Sequence, residues 1–290
     1  MSNKQTLMTE LIEHSVQFGH QTWRWNPKMA AYIWGKKDGI HLIDVSKTAF
    51  QIEKAAKFLE EVAAQGMPIL WCGTKKAAQP AMTAVLKETG CPTVAHRWIG
   101  GTLTNYTQVR KSVAKLLHLE DIVAKNDPAQ SHYTKKELAV FQKLIERINN
   151  NVGGIRKLTW PIGALVVVDV IKEHVAINEA RELGIPIVAF VDTNGDPSDI
   201  NYVIPSNDDS PRAIEYIAKK FIQAIKDGKA RATTTVVDES VTLADGSLEK
   251  MLADALGGED SEGARTAGAA KGRGPVRKPT TQQRPVRKKQ

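Results

Sequence analysis

The chain has two cysteines, Cys72 and Cys91, in 290 residues. Neither has metal-ligand spacing, so a disulfide framework and a cysteine-built zinc site are both excluded, and isolated thiols point to a reducing compartment. Long apolar runs are missing too. Nothing reaches the length that crosses a bilayer, and the first 17 residues lack the uninterrupted apolar stretch of a signal peptide and the arginines of a transit peptide; the expected location is the cytosol. The phosphate fingerprints are absent: Gly73-Thr74-Lys75-Lys76 lacks the spaced second glycine and the Gly-Lys-Ser/Thr ending of a P-loop, and there is no dinucleotide glycine pattern. No Ser-His-acid or paired-carboxylate constellation can be placed from spacing, so no catalytic residue and no cofactor are expected. His14, His118 and His174 read as ordinary surface or helix residues.

Acidic residues are missing from one place in particular. From Ala264 to Gln290 the chain carries Arg265, Lys271, Arg273, Arg277, Lys278, Arg284, Arg287, Lys288 and Lys289 and no Asp or Glu. Setting these nine aside from the 40 basic residues leaves the rest in near balance with its 32 acidic ones, so the net charge of +8 belongs to the tail. Any nucleic-acid face on the folded part is therefore a local patch.

Within the balanced part, short apolar runs alternate with amphipathic ones. Leu7, Leu11 and Ile12 predict a first helix with Thr6 or Thr9 as cap. Tyr32–Gly35 and Ile40–Asp44 read as strands around a Lys36-Lys37-Asp38-Gly39 turn. Ser46 then caps a helix that Gly66 ends. Pro68–Cys72, Thr93–Ala95, Ala164–Asp169, Ile185–Asp192 and Tyr202–Pro205 are strands, the longer ones continuously apolar as buried parallel strands are, with helices after most of them and a last helix over Pro211–Lys226. The expected class is α/β, with a parallel sheet covered on both faces. Between the second and third of these strands, Leu138, Phe141, Ile145, Ile148 and Val152 keep heptad spacing, and Val109, Val113, Leu116, Leu119 and Val123 nearly do. The pattern predicts an antiparallel helical hairpin inserted over 106–152. The sheet domain is then 1–105 with 153–228. Residues 229–256 are a linker or short helix, and 257–290, rich in Gly, Ala, Pro and Arg, form an expected disordered tail.

Three loops carry the candidate chemistry. Phe18–Met29 packs His20, Trp23, Arg24, Trp25, Asn26 and Lys28 into twelve positions with no helical or strand period, and reads as an extended loop. Flat aromatic faces beside cations suit nucleic acid, where cations meet phosphates and rings stack on bases; the plainer reading is an aromatic anchor for the N-terminal arm. His96, Arg97 and Trp98 repeat the theme ahead of Gly100, Gly101, Thr102, Thr104 and Asn105, where glycines admit a phosphate backbone and the polar groups bond its oxygens. Lys36, Lys37, Lys75, Lys76 and Arg110 complete the candidate RNA contacts, although the lysines of a tight turn are just as readily solvated. Asp192, Asp196, Asp208 and Asp209 cluster at strand ends, where either a hard cation or plain turn chemistry would place them.

These same segments resemble a known family. Phe18-Gly19-His20-Gln21-Thr22, Trp25-Asn26-Pro27-Lys28-Met29 and Gly39–Asp44, then Arg97–Asn105, then Gly184-Ile185-Pro186, Val191–Asn194, Asp196-Pro197, Tyr202–Pro205 and Asn207-Asp208-Asp209 are similar, in order, to the motifs of the bacterial-type small-subunit ribosomal protein number two. The resemblance covers Leu7 to Gly228. It implies a flavodoxin-like sheet with an inserted coiled-coil hairpin and no enzyme activity. It also implies a structural role on small-subunit RNA between head and body, and help in docking ribosomal protein S-one among the neighbouring proteins; a homo-oligomer and a membrane are not expected. Trp23 departs from the family, which usually has a polar or basic residue there, as do Ser206 and Ser210-Pro211. From the fold alone, the competing reading is a nucleotide-binding α/β enzyme or regulator that uses the strand-end loops.

Overall fold

The computed structural model describes residues 3–125 and 133–235. The segment from 236 onward, with the expected basic tail, lies outside the described residues.

The long strands expected to be buried are buried because their sequences leave nothing polar to expose. β4 (Ile69–Cys72), β5 (Thr93–Val94), β6 (Ala164–Val168), β7 (Ile187–Val191) and β8 (Tyr202–Pro205) form a parallel sheet in the order β5-β4-β6-β7-β8. Counted in chain order that is 2-1-3-4-5, the flavodoxin-like arrangement. Successive side chains point to opposite faces: Ile69 and Trp71 enter one core, Leu70 and Cys72 the other. The first core lies under α1 (Asn3–Glu13), α2 (Val45–Ala64), α3 (Gln79–Thr89) and α7 (Pro211–Thr235). The second lies under α6 (His174–Glu182) and the base of α4 (Tyr106–Ala124), and takes in Met29, Trp98 and Leu103.

A second, antiparallel sheet holds β1 (Phe18–Gln21), β2 (Ile33–Lys37) and β3 (Ile40–Ile43) in the order β1-β3-β2. Asp38 and Gly39 both have positive φ, 51° and 76°, as the tight β2–β3 turn demands. Phe18–Met29 is thus not wholly an extended loop: its first four residues pair with β3, and short 3-10 turns follow at Thr22–Arg24 and Pro27–Tyr32. A four-residue strand containing glycine, histidine and glutamine has no apolar alternation to announce it.

Three helix boundaries differ from expectation. α1 starts at Asn3, so Thr6 and Thr9 lie inside it, and the Thr9 hydroxyl donates to the Gln5 carbonyl. The cap of α2 is Asp44, which accepts from the Ser46 amide. α7 runs past Gly228 to Thr235, and Gly228 faces the backbone of α2: a Cβ there would stand 2.3 Å from the Glu60 carbonyl oxygen. The 106–152 stretch contains two helices, α4 and α5 (Lys135–Val152), the latter opened by a reciprocal cap between Thr134 and Glu137. Arg156 at their base holds Glu120 of α4 at 2.7 and 3.0 Å.

Candidate nucleic-acid interface

All the loops that follow the parallel strands emerge on one edge of the sheet, and the N-terminal segment is fastened to that edge. The hydroxyl of Thr193, directly after β7, accepts from the His20 amide at 2.9 Å, and its carbonyl accepts from the Asn26 amide at 2.8 Å. Gly19 passes so close that a Cβ would lie 2.5 Å from the Thr193 side chain. Between these two ties the chain bulges outward. Trp23 is 70% exposed, the Arg24 guanidinium lies 4.4 Å from the centre of its ring, and Trp25 leans on His41. A cation held on an exposed indole keeps both available to a phosphate and a base. Lys36, Lys37 and a third exposed tryptophan, Trp34, stand on β2.

His20 itself turns inward. Its Nδ1 lies 2.9 Å from the buried carboxylate of Asp192 and its Nε2 3.5 Å from Asp209. The hydrogen bond to Asp192 raises the imidazole's pKa against the opposing effect of burial. Lys75 sits among the same acids, 2.8 Å from Asp208, 2.5 Å from Asp209 and 3.5 Å from Asp169. Burial pulls its pKa down, but Asp208 and Asp209 outweigh it and the net shift is upward. Asp208 is pushed up to about 7, by its own burial first and then by the charges of Asp169 and Asp192, with Lys75 opposing. His20, Asp208 and Asp209 can bring ligand atoms within 4.8 Å of one another, but the ammonium of Lys75 lies between the two carboxylates and supplies the positive charge there. Asp196 stands apart in an exposed pair with Lys28 at 2.8 Å, which holds its carboxyl down at about 2.

The 73–76 and 100–105 loops are both filled from within, by glutamates at the start and on the body of α6. Glu173, just ahead of that helix, takes the amide and the hydroxyl of Thr74. Glu179, on its buried face, takes the indole N–H of Trp98 at 3.0 Å and the amides of Gly101, Leu103 and Thr104 at 2.8, 2.9 and 3.3 Å. Burial alone would raise the Glu179 pKa; the donors from Trp98, Leu103, Gly101 and Thr104 outweigh it and hold the carboxyl below its usual range. A carboxylate that gathers several amides leaves those amides with no further anion to bind.

The candidate residues therefore divide. Trp23, Arg24, Trp25, Lys28, Lys36, Lys37, Lys76, His96, Arg97, Gly100, Thr104, Asn105 and Arg110 are exposed. Five others are buried or already bonded within the chain. Trp98 is buried and cannot offer a ring face to a base, and Thr102 is buried with its hydroxyl on the Ile99 carbonyl. The Gly101 amide is given to Glu179 at a φ of 88°, and Lys75 and His20 are committed to the acidic cluster. Sequence reasoning passed over Glu173, Glu179 and Thr193. Glu179 left a signal: it shares the buried face of α6 with Ala176 and Ala180, and a charge on an apolar face implies a partner.

Glu173 also lies 3.2 Å from the Sγ of Cys72. Burial, then that carboxylate, pushes the Cys72 thiol well above its ordinary range. With Cys91 buried too, native protein is expected to resist iodoacetamide at both positions while urea-unfolded protein reacts at both. Fast alkylation of Cys72 in native protein, read by mass spectrometry, would contradict the burial.

Comparison with known proteins adds sequence to this geometry. The ribosomal protein S2 family profile matches residues 11–228. The small ribosomal subunit protein uS2 of Micrococcus luteus is 43% identical over 221 residues, covering 76% of this chain and 77% of the relative. The uS2 protein of Koribacter versatilis is 42% identical over 233 residues, covering 80% and 77%.

Proposed function

Since the chain belongs to the ribosomal protein S2 family, we propose that it holds small-subunit ribosomal RNA through two exposed loops, Trp23–Trp25 and His96–Asn105, near the junction of head and body. It is a structural protein of the small ribosomal subunit and not an enzyme, and its place is the cytoplasmic ribosome. The observation that carries the RNA reading is the Arg24 guanidinium laid on the exposed ring of Trp23, in a loop tied at both ends to Thr193. The ties fix the loop before RNA arrives, so less conformational entropy is lost on binding. Lys36, Lys37 and Lys76 add charge without base preference. Two finer features belong to the same proposal. One is docking of ribosomal protein S-one. The other is a coiled-coil hairpin of α4 and α5, supported by Leu116 and Leu119 buried along α4.

The nucleotide-binding alternative finds no support at its natural place. The crevice between β4 and β6, where this strand order reverses, holds Glu173 on Thr74 and the Lys75 cluster.

The test uses small-subunit particles stripped of this protein. Arg24→Ala with Trp23→Ala is expected to weaken rebinding of the full chain about tenfold to a hundredfold, with little change in melting temperature because both side chains are exposed. Rebinding at wild-type affinity would overturn the RNA role of this loop.

A further inference from the structure

We propose that Glu179 is a positioning residue for RNA recognition: its carboxylate gathers Trp98 and the 101–104 backbone so that His96 and Arg97 face outward in a fixed place. The inference rests on reading Arg97 as an RNA contact. The geometry is one anion with five donors drawn from a single loop: the Trp98 indole N–H, the amides of Gly101, Leu103 and Thr104, and the Thr104 hydroxyl at 3.4 Å. None of the five is on α6, which carries the glutamate, so the bonds tie the loop to that helix across the fold. The loop's other fixings run the same way. Thr102 folds back on Ile99 through both its amide and its hydroxyl, and Trp98 and Leu103 sink into the core beneath. Between the two buried anchors, Gly100 is exposed, and directly before Trp98 stand the exposed His96 and Arg97. With Trp98 pinned, the Cα of Arg97 has little freedom, and only its side chain remains to be ordered when a phosphate arrives.

An isosteric neutral side chain separates this role from packing. Glu179→Gln keeps volume and helix propensity but replaces an acceptor oxygen with an NH2 group that faces amide donors. The measurement is a double-mutant cycle on the full chain, read as affinity for small-subunit particles stripped of the native protein, beside melting temperature and the NMR shift of the Trp98 indole N–H (assigned with Trp98→Phe). Arg97→Ala alone is expected to weaken binding about tenfold, as loss of one arginine contact does. Glu179→Gln is expected to weaken it by a similar factor and to shift the Trp98 indole resonance, while the double variant binds no more weakly than the poorer single one, because an arginine already misplaced has nothing left to lose. If Arg97→Ala binds as wild type, the RNA reading of Arg97 falls, and this inference with it. If Arg97→Ala weakens binding but Glu179→Gln does not, or if the two losses multiply to about a hundredfold, the RNA reading stands and the positioning role is overturned. Should Glu179→Gln fail to fold, Glu179→Asp runs the same cycle. It keeps the charge, withdraws it by about 1.5 Å, and is judged by the same outcomes.

Discussion

Lys75→Met is expected to destabilise the protein by about 3–5 kcal/mol in mildly alkaline solution, the usual cost of leaving a buried charge without its partner. Among the described residues, the lysine is the one cation within 3.5 Å of Asp169, Asp208 and Asp209 together, and Asp208 is buried. The loss should depend on pH, with a sign fixed by Asp208. Its carboxyl titrates at about 7 in the fold, against about 4 in an unfolded chain. A raised carboxyl favours the folded state fully below its unfolded pKa, and that contribution is lost as the pH rises through the folded value. His20, raised by its bond to Asp192, acts in the same direction above about 6.5. Without Lys75 the Asp208 carboxyl rises further, so protonation rescues the variant over a wider range. Urea denaturation at about pH 5 and about pH 8 should show the deficit shrinking on the acid side. An equal deficit at both, or one below about 1 kcal/mol at the higher pH, would mean that water rather than Lys75 screens these acids.

Gly228→Ala should destabilise as well, against helix propensity. Alanine in place of a mid-helix glycine ordinarily gains about 1 kcal/mol. Here the new methyl would sit 2.3 Å from the Glu60 carbonyl oxygen and 2.9 Å from the Ala63 Cβ, where a carbon–oxygen contact needs about 3.3 Å. Helices α2 and α7 must then part by about 1 Å along a core that includes Leu59, Ala63, Phe221 and Ile225. A net loss of about 2–3 kcal/mol is expected, or roughly 4–10 °C in melting temperature. A melting temperature at or above wild type would show that the two helices separate without cost.

The same glycine shows where the sequence was opaque. Gly228 read as the end of the sheet domain because the composition shifts after it, while the contact that requires a glycine there lies on α2, far away in sequence. The sheet was easier. Ala164–Val168 and Ile187–Val191 expose nothing, and a continuous apolar run between turn residues has few other uses. In the interface, the exposure of Arg97 and Arg24 followed from charge alone. The burial of Trp98 did not, since its partner Glu179 stands 81 residues away. Nor did the confinement of Lys75, whose acids come from the ends of β6 and β8. Local chemistry marks the residues; the crossover order of the sheet decides which of them meet, and that order is not written in any one segment.

The ties from His20 and Asn26 to Thr193 bear on the order of synthesis. The first bridges 173 positions, and a chain that emerges at 5–20 residues per second needs on the order of 10–30 s to supply the second partner after the first. Until then the tryptophan–arginine bulge lacks both ties to Thr193 and rests only on its own small sheet, through the Thr22 amide on the Gly39 carbonyl and Trp25 against His41. A nascent or truncated chain that stops short of β7 therefore carries the aromatic and basic side chains without their geometry. The geometry of this loop is thus completed only when Thr193, two-thirds of the way along the 290 residues, has been made.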